Sequence, residues 1–298
     1  MRIVVALGGN ALLRRGEHPD FRVQSGHVAR AAAALAALSG HQLVVTHGNG
    51  PQVGLLAAES EQDGALSRPY PFDVLGAETQ GMIGYLLVQG LENAGLSAAC
   101  LLCRTVVRPD DPAFLRPTKF VGPVYDEKTA RRLAVERGWT VRPDGDAWRR
   151  VVASPDPIGI LELPLIRTIA ATGTVLVCAG GGGIPVRQDG DQLDGVEAVV
   201  DKDLTASLLA VAVDADALLL LTDVDAVYTD YGTPAARPLH RTTVRDLRSR
   251  SFAEGSMGPK VEAACRFAEK TGRVAVIGRL EDAAAALDGS AGTTVTGT

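Results

Sequence analysis

The stretch TVLVCAGGGGIPVRQDGDQLDGVEAVVDKDLTASLLA, residues 174–210, decides how the chain is read. Val175-Leu176-Val177-Cys178-Ala179 is a short, β-branched apolar run bounded by glycine, the pattern of a buried strand. It breaks into Gly180-Gly181-Gly182-Gly183, which lack a Cβ and so can take φ > 0 and let backbone N–H groups approach a ligand. A hairpin-like insert leads to Asp201-Lys202-Asp203, where one ammonium and two carboxylates open an apolar helix, Leu204 to Val213. A glycine nest beside a helix N-terminus that carries a lysine is suited to phosphate. The plainer reading, a flexible linker and a solvated charge cluster, fits less well, because linkers seldom follow a buried strand directly.

Working outward, Arg2–Leu7 is a first strand that ends on Gly8-Gly9-Asn10. A helix spans about residues 23–38, and a second strand, Gln42–Thr46, ends on His47-Gly48-Asn49-Gly50, with Pro51 suited to open the next helix. Strand, glycine turn and helix recur, as in a parallel sheet with crossover helices. Such sheets bind ligands at the carboxyl ends of their strands, so the three glycine turns are expected to converge on one crevice. A long helix over about 73–93 carries Gly76, Gly81, Gly84 and Gly90, which points to close packing against a neighbouring helix or a second subunit. Leu96–Val107 reads as one strand and Ile158–Thr172 as one helix. Between them, residues 108–157 are rich in proline and arginine and hold both tryptophans. A short helix and the hairpin WTVRP-DGD-AWRRVV predict an inserted subdomain carrying Lys119. Ala217–Leu221 is a further buried strand, and Val274–Ile277 another.

At 298 residues with a net charge of -5, the composition describes an ordinary soluble protein. It offers no basic excess for nucleic acid, no membrane-spanning run and no long h-region after Met1. Four cysteines are too few for a disulfide scaffold. Cys100-x-x-Cys103 has no second pair or histidine cluster nearby, so core thiols are expected rather than a metal site. Of 30 cationic residues only five are lysine. Three of these, Lys119, Lys202 and Lys260, sit in Gly- or Pro-marked turns, where a compact charge serves a phosphoryl oxygen better than guanidinium does. The sequence holds neither a Walker-type G-x-x-x-x-G-K-[ST] nor a kinase HRD…DFG set. Glycine turns, three lysines and an aspartate fit phosphoryl transfer, which asks mainly for alignment and positive charge. His47 is expected to be a buried, loop-orienting residue rather than a base.

VVALGGNAL, THGNGPQVG, TQGMIGY, PTKFVGP, AWRRVVASPDPI, GGGGIPV, GVEAVVDKD, DADALLLLTDVDAVY and GSMGPKVEAA, in this order, resemble the carbamate kinases of the amino acid kinase fold family. The resemblance covers nearly the whole chain. It implies an α/β fold, an open αβα sandwich with a mainly parallel sheet of about eight strands and a small protruding subdomain. It implies an N-terminal lobe, residues 1–212, for carbamate or carbamoyl phosphate, and a C-terminal lobe, residues 213–298, for ATP or ADP with Mg2+ carried by the nucleotide. A cytoplasmic homodimer is implied too, without nucleic-acid or membrane partners. By position, Gly8, Gly9, Asn10, Gly48, Asn49 and Gly50, with Gly181 and Gly182, would hold substrate and the transferred group. Lys119, Lys202 and Lys260 would neutralise the phosphates, with Asp203 orienting the ammonium groups. Thr222, Asp223, Tyr228, Met257 and Gly258, again with Lys260, would meet the nucleotide. Sister families commonly place a lysine just before the Leu-Gly-Gly of the first strand; here that place is Ala6, which favours the carbamate branch. An acetylglutamate-type kinase or a non-catalytic nucleotide sensor are the alternatives.

Overall fold

Arg2–Leu7 lies between two strands, paired in parallel with Gln42–His47 on one side and Ala217–Thr222 on the other. Its apolar run from Ile3 to Leu7 is fully buried, as expected of a strand covered on both faces. The computed structural model describes residues 1–14, 16–253 and 255–297. In it these three strands form the middle of an eight-stranded sheet. Val175–Cys178 and Ala98–Leu101 extend it in parallel on one flank, and Val274–Arg279 on the other. Thr293–Thr296 then runs antiparallel to Val274–Arg279 and pairs in parallel with the edge strand Arg241–Thr243.

Alternate side chains supply two cores. Ile3, Val5, Leu7, Leu219 and Leu221 pack towards the helices Phe21–Ala36, Phe72–Asn93 and Ala283–Leu287. Val4, Ala6, Leu218 and Leu220 pack towards Leu163–Ala170, Lys202–Ala212 and Met257–Thr271. The result is the expected αβα sandwich with a mainly parallel sheet. Among the described residues no helix is long and apolar enough to cross a membrane.

Two expected elements are corrected. Leu96–Val107 is not one strand. Ala98–Leu101 belongs to the large sheet, whereas Arg104–Val107 joins a separate four-stranded sheet with Ile184–Asp189, Gln192–Gly195 and Pro157–Ile160. The break falls at Cys103, whose backbone is taken by the Gln80 amide. Gln80 Oε1 accepts from the Cys103 N–H at 3.0 Å, and Gln80 Nε2 donates to the Cys103 carbonyl at 3.1 Å. Ile158–Thr172 likewise splits, into the strand Pro157–Ile160 and the helix Leu163–Ala170, which starts at Glu162 with proline in its first turn. The thiols divide as well: Cys103, Cys178 and Cys265 are buried, but Cys100 lies at the surface.

The protruding subdomain is a three-stranded antiparallel sheet, Lys119–Tyr125, Ala147–Val152 and Thr140–Asp144, with the helix Glu127–Arg137. Asp126 caps that helix by accepting from the Thr129 N–H at 2.9 Å. Gly145, at φ 64°, makes the hairpin turn. The subdomain abuts the main body through glycine on glycine: a Cβ on Gly54 would come within 3.2 Å of the Gly122 backbone. In the long helix Gly90 serves the same end, since its Cβ would lie 2.8 Å from Val28 Cγ1 in the neighbouring helix.

Leu219 is fully buried in the central strand. Leu219→Ala is expected to lower stability by about 2–5 kcal/mol in urea unfolding; an unchanged midpoint would mean that the sheet does not form this core.

Candidate active site

Four adjacent strands end side by side, at Thr222, Leu7, His47 and Cys178. Each is followed by the turn or carboxylate that was singled out in the sequence. From the first strand the chain crosses to Gln42–His47 on one side, and from its neighbour Ala217–Thr222 it crosses to Val274–Arg279 on the other, so a crevice opens between the two. A cleft of about 1080 Å³ occupies this position.

One wall consists of the turns. Gly8, Gly9 and Asn10 face Gly48, Asn49 and Gly50, and the two turns touch: a Cβ on Gly48 would sit 3.0 Å from the Gly9 nitrogen. Asn49 is fixed by donating to Thr79 Oγ1 at 2.8 Å. The opposite wall carries Thr222, Asp223, Tyr228 and Met257. Asn10 Nδ2 donates to Asp223 Oδ2 at 2.7 Å and Thr222 Oγ1 donates to Asp223 Oδ1 at 3.0 Å, so the walls are joined at their base. Burial would raise the Asp223 pKa, but these two hydrogen bonds, with a backbone hydrogen bond and the Lys260 charge, outweigh it and the carboxyl titrates below its ordinary value. Tyr228 is held by its hydroxyl, which donates to Asp225.

Lys119, Lys202 and Lys260 all reach this cleft, from the protruding subdomain, the start of one helix and the first turn of another. Asp203 joins two of them, Oδ1 accepting from Lys202 Nζ at 2.5 Å and Oδ2 from Lys260 Nζ at 3.1 Å. Burial pulls the Lys202 pKa below the usual lysine value; Asp203 opposes that shift and Lys260 adds to it. Lys119 Nζ donates to Asp201 Oδ2 at 2.7 Å. Burial would raise the Asp201 pKa, yet the Lys119 ammonium, followed by Lys202, holds its carboxyl well below the usual range.

Two of the expected residues stand elsewhere. Gly181 lines the cleft but Gly182 does not: it packs behind the wall, where a Cβ would lie 2.4 Å from the Val200 carbonyl oxygen. Gly258 turns the loop, its N–H donating to the Ala253 carbonyl at 2.9 Å, while its neighbours Met257 and Pro259 face the cleft. The glycine run thus serves packing more than ligand approach. Gly180 meets the His47 ring, Gly183 meets Thr105, and only Gly181 is presented to the cleft. Asp201 was not singled out as a site residue. An aspartate before K-D-L-T is legible as a helix cap, and here it accepts from the Asp203 N–H at 2.9 Å. Its bond to Lys119, 82 residues away, has no local signal.

His47 is buried with Nδ1 3.0 Å from the Gly48 carbonyl oxygen, so Nδ1 carries the proton. Burial, aided by the Lys202 charge, lowers its pKa from 6.5 to about 4. Below the unfolded value the unfolded chain binds a proton that the folded chain refuses. Stability is therefore expected to fall as pH drops from 6.5 towards 4, by at most about 1.4 kcal/mol per pH unit from this group. Urea titrations at several pH values should give a shallower dependence for His47→Gln. An equal dependence in the two proteins would mean that the imidazole is already charged in the fold.

The chain matches the description of the amino acid kinase family over residues 1–279. A carbamate kinase of Rhizobium meliloti is 50% identical over 305 residues, spanning 99% of this chain and 93% of that protein. One from Thermococcus kodakarensis is 46% identical, spanning 99% and 98%. Carbamate kinase from Giardia lamblia bound to AMP-PNP superposes with a TM-score of 0.92 at 37% identity, covering 100% of this chain and 98% of that one. The chain belongs to the amino acid kinase family and, within it, to the carbamate kinases.

Proposed function

We propose that the protein moves a phosphoryl group reversibly between ATP and carbamate, giving ADP and carbamoyl phosphate. The observation that carries this is the meeting of three ammonium groups from distant parts of the chain in one cleft walled by glycine turns. The kinship with carbamate kinases supplies the acceptor.

In this reading ATP or ADP lies against Thr222, Asp223, Tyr228 and Met257, and carbamate against the turns Gly8–Asn10 and Gly48–Gly50 with Gly181. The moving phosphoryl group passes between them. Backbone N–H groups of the turns hold its oxygens, and Lys119, Lys202 and Lys260 offset the charge that spreads over them in transfer. Asp203 holds two of these ammonium groups apart yet aimed at one place. The position before Leu7 is Ala6, buried in the sheet, so the charge that sister families carry there has to come from elsewhere, and Lys119 and Lys202 are available.

Mg2+ typically takes one or two carboxylates and completes its shell with phosphate oxygens and water. In this reading the ion arrives with the nucleotide, and Asp223 would offer a carboxylate on that side of the cleft. When bound it would neutralise charge between the outer phosphates.

Residues 1–212 act in this account as the carbamate lobe and 213–298 as the nucleotide lobe. The physiological direction is ATP synthesis in catabolism of arginine or a related nitrogen compound, in the cytoplasm. A homodimer is supported by an exposed stripe on the helix Phe72–Asn93, where Val74, Gly81, Met82 and Tyr85 face outwards.

Turnover of carbamoyl phosphate with ADP tests the reaction directly. Activity with acetylglutamate in place of carbamate would overturn the acceptor. Lys202→Ala and Lys260→Ala are each expected to lower kcat by about a hundredfold or more. Near-normal turnover in either would remove that lysine from the transfer step.

A further inference from the structure

Asp201 does two things with its two oxygens. Oδ1 accepts from the backbone N–H of Asp203 at 2.9 Å and of Leu204 at 3.4 Å, closing the first turn of the helix Lys202–Ala212. Oδ2 accepts from Lys119 Nζ at 2.7 Å. The first bond belongs to the helix that carries Lys202 and Asp203. The second belongs to the protruding subdomain, which has its own sheet and packs on the helix Gly50–Gln62 of the main body.

The subdomain's other ties are an apolar seam, Val121 and Val152 packed with Val53, Ala57 and Phe72, and a set of ion pairs. Arg150 donates to Glu197 at 3.0 Å and lies 3.5 Å from Glu61, with its guanidinium over the Phe72 ring. Arg137 donates to Glu61 at 2.7 Å. These bonds orient the subdomain as a body. They do not hold the long, half-exposed Lys119 side chain itself, which keeps several rotatable bonds. Among the described residues Asp201 is the hydrogen-bond partner of that ammonium.

We propose that Asp201 is a positioning residue that sets Lys119 in register with the Lys202–Asp203–Lys260 group through one shared carboxylate. The proposal rests on the carbamate kinase reading for its kinetic consequence, but not for the contact itself. Because one oxygen fixes the helix start and the other the lysine, the subdomain's charge is located relative to the helix-borne charges and not merely near them. A misplacement of about 1 Å in such an arrangement costs on the order of a hundredfold in rate.

The test is Asp201→Asn, since asparagine caps a helix as well as aspartate but cannot form the ion pair. Lys119 should then react faster with acetic anhydride, measured by mass spectrometry against Lys128 and Lys270 of the same chain. An unchanged relative rate overturns the proposal, whatever reaction the protein catalyses. In the carbamoyl phosphate and ADP assay, kcat should fall by about ten- to a hundredfold. Lys119→Ala should fall at least as far, and the double variant no further, because both act through one ammonium. A full kcat in Asp201→Asn, or an additive loss in the double variant, overturns the proposal. So does a loss of Tm large enough to account for the lost rate, which would assign the effect to the helix cap. Absence of turnover in the unaltered protein would sink the functional reading alone, and the acylation result would still decide the contact.

Discussion

A single buried carboxylate, Asp203, stands between two ammonium groups, and the active cleft is built around that arrangement. Lys202 and Lys260 enter from different helices, and unit charges about 4 Å apart interact by about 4 kcal/mol at an effective dielectric near 20. Without the carboxylate the two would repel, and each would also lose water on burial. With it, the pair forms a compact positive group with net charge left over for an anionic ligand. The helices Lys202–Ala212 and Met257–Thr271 must therefore pack closely enough for both lysines to reach one residue. The apolar faces of those helices, with Leu209, Ala210, Ala264 and Phe267 fully or almost fully buried, hold them there. Core packing behind the sheet thus sets the electrostatics in front of it.

Much of this was legible in the chain. Strands buried on both faces read as unbroken apolar runs, and those of Arg2–Leu7, Gln42–His47, Val175–Cys178 and Ala217–Thr222 are closed by glycine, histidine-glycine or threonine-aspartate turns. The convergence of those turns followed from the rule that parallel sheets present their carboxyl ends to ligands. Scarcity made the lysines conspicuous. What stayed hidden depends on distant partners. The strand that breaks at Cys103 does so because Gln80, in a helix, captures its backbone, and nothing within LLCRTVV announces this. Pro157–Ile160 became a strand because Arg104–Val107 was there to pair with it. The second role of Asp201 required the subdomain to fold back over the cleft.

The four-glycine run shows how one residue type can be read correctly for the wrong reason. Its positive φ angles at Gly181, Gly182 and Gly183 are real, and Ala179 shares that conformation at φ 52°. Most of the freedom goes to bringing the turn against the His47 ring, the Val200 carbonyl and Thr105. Thr46 steadies Ala179 by donating to its carbonyl at 2.9 Å, and Thr205 does the same for Gly182 at 3.0 Å. The wall is rigid because it is tied from the strand on one side and the helix on the other. Preorganised N–H groups depend on that rigidity, since a donor that must reorient in transfer stabilises less.

The seating of a carboxylate against each cleft lysine bears on survival as well as on catalysis. Carbamoyl phosphate decomposes to cyanate, which carbamoylates free amines and erases their charge. A primary amine whose hydrogens point into Asp201 or Asp203 is held against a carboxylate, which leaves its nitrogen less open to cyanate than that of a free side chain. Guanidinium, used for 25 of the 30 cationic positions, is a poor target for the same reagent. A chain written in arginine, with each cleft lysine set against a carboxylate, is chemically suited to working beside a carbamoylating reagent.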